Sequence, residues 1–161
     1  MGTVALPPAT AARCEGVGGF SVVDVRPVAS SGFRHQLVLE DAKGAVRQPI
    51  LGFDRHADVL WGPECRVLAV TNWHSSDGSQ VLVLVPRSAA PVVDIRTLVL
   101  QRLGPLPSIT GNHHVYFEAS RWLSPGTLRV RAFGYGDVDP GGFEVFFDCD
   151  LDGTVRYATD T

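Results

Sequence analysis

The stretch "FEVFFDCDLDGTVRY", Phe143 to Tyr157, decides how the chain is read. It sets Asp148, Asp150 and Asp152 at alternate positions and follows them at once with Gly153. Oxygen ligands at positions one, three and five, with a glycine at six, are how a calcium-binding loop begins. Such a loop needs a bidentate acid at position twelve, where this chain has Thr159, and position nine is Arg156, a cation. The alternation points elsewhere. Phe143, Val145, Phe147, Cys149 and Leu151 fall on one parity, while Glu144, Phe146, Asp148, Asp150 and Asp152 fall on the other. That is a strand with one apolar and one solvated face, turned by the two residues Asp152-Gly153 into "TVRYAT". The stretch reads as an acidic β-hairpin, with a weak calcium site on Asp148, Asp150 and Asp152 as the alternative.

Working outward, period two dominates. "FSVVDVRPV" (20–28), "HQLVLEDA" (35–42), "AVRQPILGF" (45–53), "ADVLW" (57–61), "CRVLAVTNW" (65–73) and "QVLVLVP" (80–86) read as strands. After them come "HHVYFEASRWL" (113–123) and "LRVRAFGYG" (128–136), leading into the hairpin. The links are mostly of hairpin length, with Lys43-Gly44 and Asp77-Gly78 at turns. One segment breaks the rhythm: in "PVVDIRTLVLQRLGP", Val92, Ile95, Val99 and Leu103 recur at three- and four-residue steps. Asp94 caps its start and Gly104-Pro105 ends it, which predicts one short helix. The expected fold is all-β, made of antiparallel sheets in hairpins, two of them packed together. Residues 1–18, rich in Ala, Pro and Gly, read as a loosely attached lead-in, and 19–161 as a single antiparallel β domain.

Composition narrows the function. The 161 residues suit one domain with a real core, and 45% apolar with 19% charged residues describes a globular chain. The net charge is −3 and the only lysine is Lys43, so a nucleic-acid-tracking surface is not expected. No apolar run is long enough to predict a membrane span. The N-terminus lacks the basic start and apolar core of a signal peptide, which favours the cytoplasm, or the periplasm if a leader has been removed. Cys14, Cys65 and Cys149 lack metal-ligand spacing. They are expected to be reduced and mostly buried, with one disulfide plus a free thiol as the alternative.

Two stretches echo each other. "VLWGPECRVLAVT" (59–71) and "SRWLSPGTLRVRA" (120–132) each carry a strand ending in Trp, a Pro-containing turn, and a second strand. "WGPECRVLAVTNWHSSDGSQVLVLVP", Trp61 to Pro86, resembles the β-propeller blade-type repeat of the WD-like family, in which a Trp-Ser-Pro-Asp-Gly turn joins two strands. Gly62 stands for the Ser and Glu64-Cys65 for the Asp-Gly. The two Trp residues are 61 apart (122 − 61), against a blade period of roughly 40–50. The resemblance implies propeller-blade-like hairpins and carries no function.

Catalytic signatures are scarce. No nucleophile elbow, phosphate loop or dinucleotide fingerprint occurs, and the leaning is against an enzyme, with no cofactor implied. The adjacent His113 and His114 point to opposite faces of a strand, and His35, His56 and His74 lie in separate segments. The loops carry more. "NWHSSDGSQ" (72–80), "PLPSITGNHH" (105–114) and "FGYGDVDPGGF" (133–143) mix aromatic anchors with adaptable polar groups, as protein-contacting loops do. Trp73, His74, Ser75, Ser76, Asp77, Ser108, Tyr135, Asp137 and Asp139 are the candidate partner-binding residues. The expected function is therefore non-catalytic binding of another protein through sheet-end loops, for instance as a bacterial inhibitor or toxin-immunity protein. The alternative is a small-ligand binder or hydrolase using His and Asp groups in a cleft between sheets. An edge strand could also pair the chain into a homodimer.

Overall fold

The computed structural model describes residues 4–6, 11–14, 21–25, 32–43, 47–86, 88 and 92–159. The strands are Val4–Leu6 (β1), Ala11–Arg13 (β2), Ser21–Val25 (β3), His35–Glu40 (β4), Arg47–Phe53 (β5), His56–Trp61 (β6), Leu68–Trp73 (β7) and Gln80–Leu84 (β8). They continue with Val93–Asp94 (β9), His114–Ser124 (β10), Thr127–Tyr135 (β11), Phe143–Asp150 (β12) and Val155–Tyr157 (β13). Two helices, Ile95–Leu103 (α1) and Pro107–Thr110 (α2), sit between β9 and β10. The architecture is all-β, and every pair among these strands of the described residues is antiparallel. No helix among the described residues is long and apolar enough to cross a membrane.

The strands form three sheets, not two, in the orders β2-β3-β4-β5, β1-β6-β7-β8-β9 and β10-β11-β12-β13. The reason lies in β6 and β7, where Val59-Leu60-Trp61 and Val67 to Asn72 are buried without a break. A strand covered on both faces has no solvated parity to display. Val59, Trp61, Leu68 and Val70 face Val22, Leu37, Leu39 and Phe53 of the first sheet. Leu60, Ala69, Val81 and Val83 face Phe117, Val130 and Phe147 of the last sheet, with Ile95 and Val99 of α1. The sheet containing β6–β8 is thus the middle layer. Each large apolar side chain buried in either interface stabilises by roughly 1.5–3 kcal/mol.

The predicted helix is present, with Asp94 accepting a hydrogen bond from the Thr97 amide at 3.0 Å and Gly104 closing it at φ 78°. The single turn of α2 was not expected; Pro107 at its start supplies the fixed φ that a helix entry favours. Within the expected lead-in, β1 pairs with β6 and β2 with β3. The expected strand residues Phe20, Arg26–Val28 and Ala45–Val46, and the boundary at residues 18–19, lie outside the described residues.

The cysteine expectation is corrected. Cys14, just after β2, is bonded to Cys65 in the β6–β7 turn, with Cα atoms 5.9 Å apart, and Cys149 alone is free. Both bonded residues sit in the interface between the first and middle sheets, so packing alone brings them to bridging distance. In that turn Glu64 and Cys65 take φ of 56° and 59°, the left-handed region the Asp-Gly of a blade turn would occupy more easily.

The acidic hairpin is also present, with two refinements. The Asp150 amide donates to the Thr154 carbonyl at 2.8 Å, leaving a three-residue loop, Leu151-Asp152-Gly153, with Gly153 at φ 96°. Asp148 is not solvated: it is buried on the outer face, where the Arg129 guanidinium donates to both its oxygens at 2.8 and 3.1 Å.

Candidate functional site

The first strand of the last sheet, β10, is held against the middle sheet by side chains. The Ser79 hydroxyl donates to the Phe117 carbonyl at 2.7 Å and accepts from the Phe117 amide at 2.9 Å. Thr71 Oγ1 accepts from the Ala119 amide at 3.0 Å. Nearer the strand start, the Val115 amide donates to the Asp77 carbonyl at 3.0 Å, and Gly78 pairs with Val115. A Cβ at Gly78 would sit 3.2 Å from the Val115 carbonyl oxygen, so the loop comes this close because it has a glycine there. These clamps satisfy backbone groups that a strand edge leaves open, and they lay the 74–79 loop across the start of β10.

The result is an aromatic cluster outside both cores. Val115, Phe117 and Ala119 of β10 face inward, as do Val130 and Ala132 of β11, so His114, Tyr116, Phe133 and Tyr135 share the outer face. Tyr116 and Phe133 stack at 5.2 Å between centroids, and Trp73 from the end of β7 leans on both, at 6.2 and 6.4 Å. His114 stacks on Tyr135 at 4.3 Å with 19° between planes. The Tyr116 hydroxyl donates to the Ser76 carbonyl, tying the loop to the rings. Burial, then the nearby Tyr135 and Asp77, push the Tyr116 phenol above its ordinary pKa, with Arg55 opposing.

Polar groups frame the rings. Asp58 accepts from the Trp73 indole N–H at 2.8 Å and lies 2.9 Å from His56 Nε2. The Arg131 guanidinium lies 4.0 Å from the centre of the Phe133 ring and pairs with Glu118 at 3.3 Å and Glu144 at 2.6 Å. His113 Nε2 is 3.1 Å from Asp137. His114 Nδ1 is 3.4 Å from Asp77, without hydrogen-bond alignment.

Most of the residues singled out from sequence meet at this end. Trp73, Ser76, Asp77 and Tyr135 belong to the cluster, Asp137 lies two residues beyond Tyr135 and pairs with His113, and the exposed His74 ring packs near Gly78 in the same loop. Ser75 serves the loop itself, accepting from the Asp77 amide at 3.2 Å. Asp139 turns inward, accepting from the Asn112 side-chain amide at 2.7 Å, while Asn112 accepts from the amides of Val138 and Asp139. Ser108 stands apart, on α2, lining a cavity.

Asp58, Tyr116, Phe133 and Arg131 were missed because each lies inside a strand, where apolar and polar residues alternate by default. A signal existed: adjacent strands 113–123 and 128–136 place Tyr116, Phe133 and Tyr135 on the parity opposite Val115, Ala119, Val130 and Ala132.

Two cavities, of about 110 Å³ beside Cys149 and about 270 Å³ between α2 and β12, are mostly apolar, and no histidine lines either. Burial first, then Asp148 and Asp150, push the Cys149 thiol up to about 12, which keeps it protonated and inert. Among the described residues no group of three or more His, Cys, Asp or Glu side chains is placed to hold a metal ion. Asp148, Asp150 and Asp152 are engaged separately: with Arg129, with Thr127 and Arg156, and with the Thr154 amide. No protein-family model matches the chain, and no curated protein matches it.

Proposed function

We propose that this chain is a non-catalytic protein-binding domain whose docking surface is the aromatic end built by Trp73, Tyr116, Phe133, Tyr135 and His114. One observation carries the reading: four rings share the outer face of the last sheet, Trp73 from β7 leans on two of them, and the cluster lies outside both cores, framed by charged groups. An aromatic centre with a polar rim is the anatomy of an interface, where a few rigid rings supply most of the binding energy. The clamps from Ser79, Thr71 and Asp77 hold that surface in place before a partner arrives, so little ordering is left to oppose binding. An inhibitor or toxin-neutralising protein is the concrete form of this reading.

Two further parts belong to it. The three sheets are built from strands mostly consecutive in sequence, which supports blade-type repeat units; the helices between β9 and β10 lengthen the interval between the two Trp turns. The Cys14–Cys65 bond supports an oxidising compartment such as the periplasm over the cytoplasm.

The test is affinity capture with the wild-type chain and a Tyr135→Ser variant as baits. Tyr135 is half exposed and belongs to neither core, so the variant keeps the fold. A stoichiometric partner retained by the wild type and lost by the variant is expected. Equal retention by both baits overturns the reading.

A further inference from the structure

We infer that the aromatic end takes a basic polypeptide partner, seating an arginine or lysine side chain against Tyr135 between Asp77 and Asp137. This rests on the docking reading above and specifies the partner's chemistry.

The molecule contains a pattern for such a contact on the same sheet face. Arg131 lies 4.0 Å over the Phe133 ring while Glu118 and Glu144 grip its guanidinium from either side. Two residues along β11, Tyr135 repeats the aromatic element on the same face, half exposed and backed by the stacked His114. Asp77, 3.4 Å from the stacked His114, and Asp137, two residues beyond Tyr135, offer carboxylates, with side chains 64% and 84% exposed. The difference is the cation. Phe133 has its own arginine, whereas Asp77 approaches His114 and accepts from the Ser76 hydroxyl at 3.1 Å, Asp137 approaches His113, and among the described residues neither ion-pairs with an arginine or lysine.

The physics favours a cation from outside. A guanidinium is attracted to the face of an exposed aromatic ring and to each carboxylate beside it. An acidic partner would meet two carboxylates that no arginine or lysine ion-pairs among the described residues, and like-charge contact at an interface works against association. Charge complementarity therefore selects a basic surface, and arginine above lysine because its plane can stack on the ring while its edge reaches the carboxylates.

The experiment is an NMR titration of the full chain with two synthetic peptides of equal length and Gly/Ser spacing, one carrying arginines and one glutamates in the same places. The arginine peptide is expected to shift residues 113–116 and 133–137, with affinity falling about fivefold in an Asp77→Asn/Asp137→Asn double variant and falling with added salt. The glutamate peptide is expected to shift none of them. Equal response to both peptides, response elsewhere on the surface, an unchanged affinity in the double variant, or no response to either peptide overturns the inference. The two readings fail separately. If Tyr135→Ser abolishes partner capture while the arginine peptide is ignored, the docking surface stands and its cationic preference falls.

Discussion

Asp58 accepts the indole N–H of Trp73 at 2.8 Å across the β6–β7 pair, and this bond aims the largest ring of the aromatic end. Asp58 lies opposite Thr71, so Trp73 is its diagonal neighbour, on the face turned toward β10. The bond joins a half-buried donor to a carboxylate, which makes it stronger than a neutral pair.

Replacing Asp58 by Ala is expected to cost about 1.5–3 kcal/mol and to leave the ring free to reorient. The Trp73 indole N–H resonance should move toward its solvent-exposed position, and the emission of Trp73 should shift to the red. An unchanged indole resonance would show that packing alone places the ring.

The covalent bond between the first and middle sheets gives a second prediction. Cys14 and Cys65 are 51 residues apart, and closing a loop of that length is worth about 4 kcal/mol through the unfolded chain. A Cys14→Ser/Cys65→Ser variant should lose stability of that order in urea. Thiol counting should find one reactive group in denaturant and none in the folded chain, since burial and a thiol held up to about 12 protect Cys149. Three thiols in denaturant would contradict the fold.

Gly134 lies where β11 passes the start of β10, and a Cβ there would sit 1.9 Å from the His114 carbonyl oxygen. No side-chain adjustment relieves a clash with backbone. Gly134→Ala is expected to push the strands apart at the Val115–Gly134 pair, destabilising by more than about 2 kcal/mol and breaking the His114–Tyr135 stack. A variant of wild-type melting temperature would refute this register.

Arg129 and Asp148 form a mostly buried, two-pronged pair across β11 and β12. Arg129→Met should destabilise by about 3–5 kcal/mol because it strands a buried carboxylate. Arg129→Met combined with Asp148→Leu should recover most of that loss. A double variant as unstable as the single would mean that the pair contributes through packing.

Acid should weaken the terminal hairpin. Hydrogen bonds from Thr127 and then Arg156 hold the Asp150 carboxyl below its ordinary range. A folded pKa below the unfolded one adds stability that is fully present above about pH 4 and is lost as pH falls through the folded value. Thr127→Val removes the first-named cause, so its destabilisation should be larger at neutral pH than in strong acid. Equal destabilisation at both pH values would mean that Asp150 plays no part in the acid response.

The hairpins, the helix with its Asp94 cap and the loops worth watching were legible because each has a local signature: alternation, a capping side chain, a glycine at a turn. The third sheet was not. Val67 to Asn72 is buried on both sides, and local alternation cannot report a strand with two covered faces. The Cys14–Cys65 bond was hidden for a similar reason, since it depends on how two sheets stack rather than on spacing. Asp148 looked solvated by parity, and only the register opposite Arg129 explains its burial. Likewise the loops were found one at a time, while their meeting around Tyr116 depends on the Ser79 and Thr71 clamps, which join residues 38 and 48 positions apart.

The most direct test of the docking surface is hydroxyl-radical footprinting of the chain, free and bound to its captured partner. In the complex His113, His114, Tyr116 and Tyr135 are expected to lose reactivity, while Phe33, exposed beside the first sheet, keeps its own. Protection of Phe33 with the four aromatic-end residues as reactive as in the free chain would contradict a docking surface at this end.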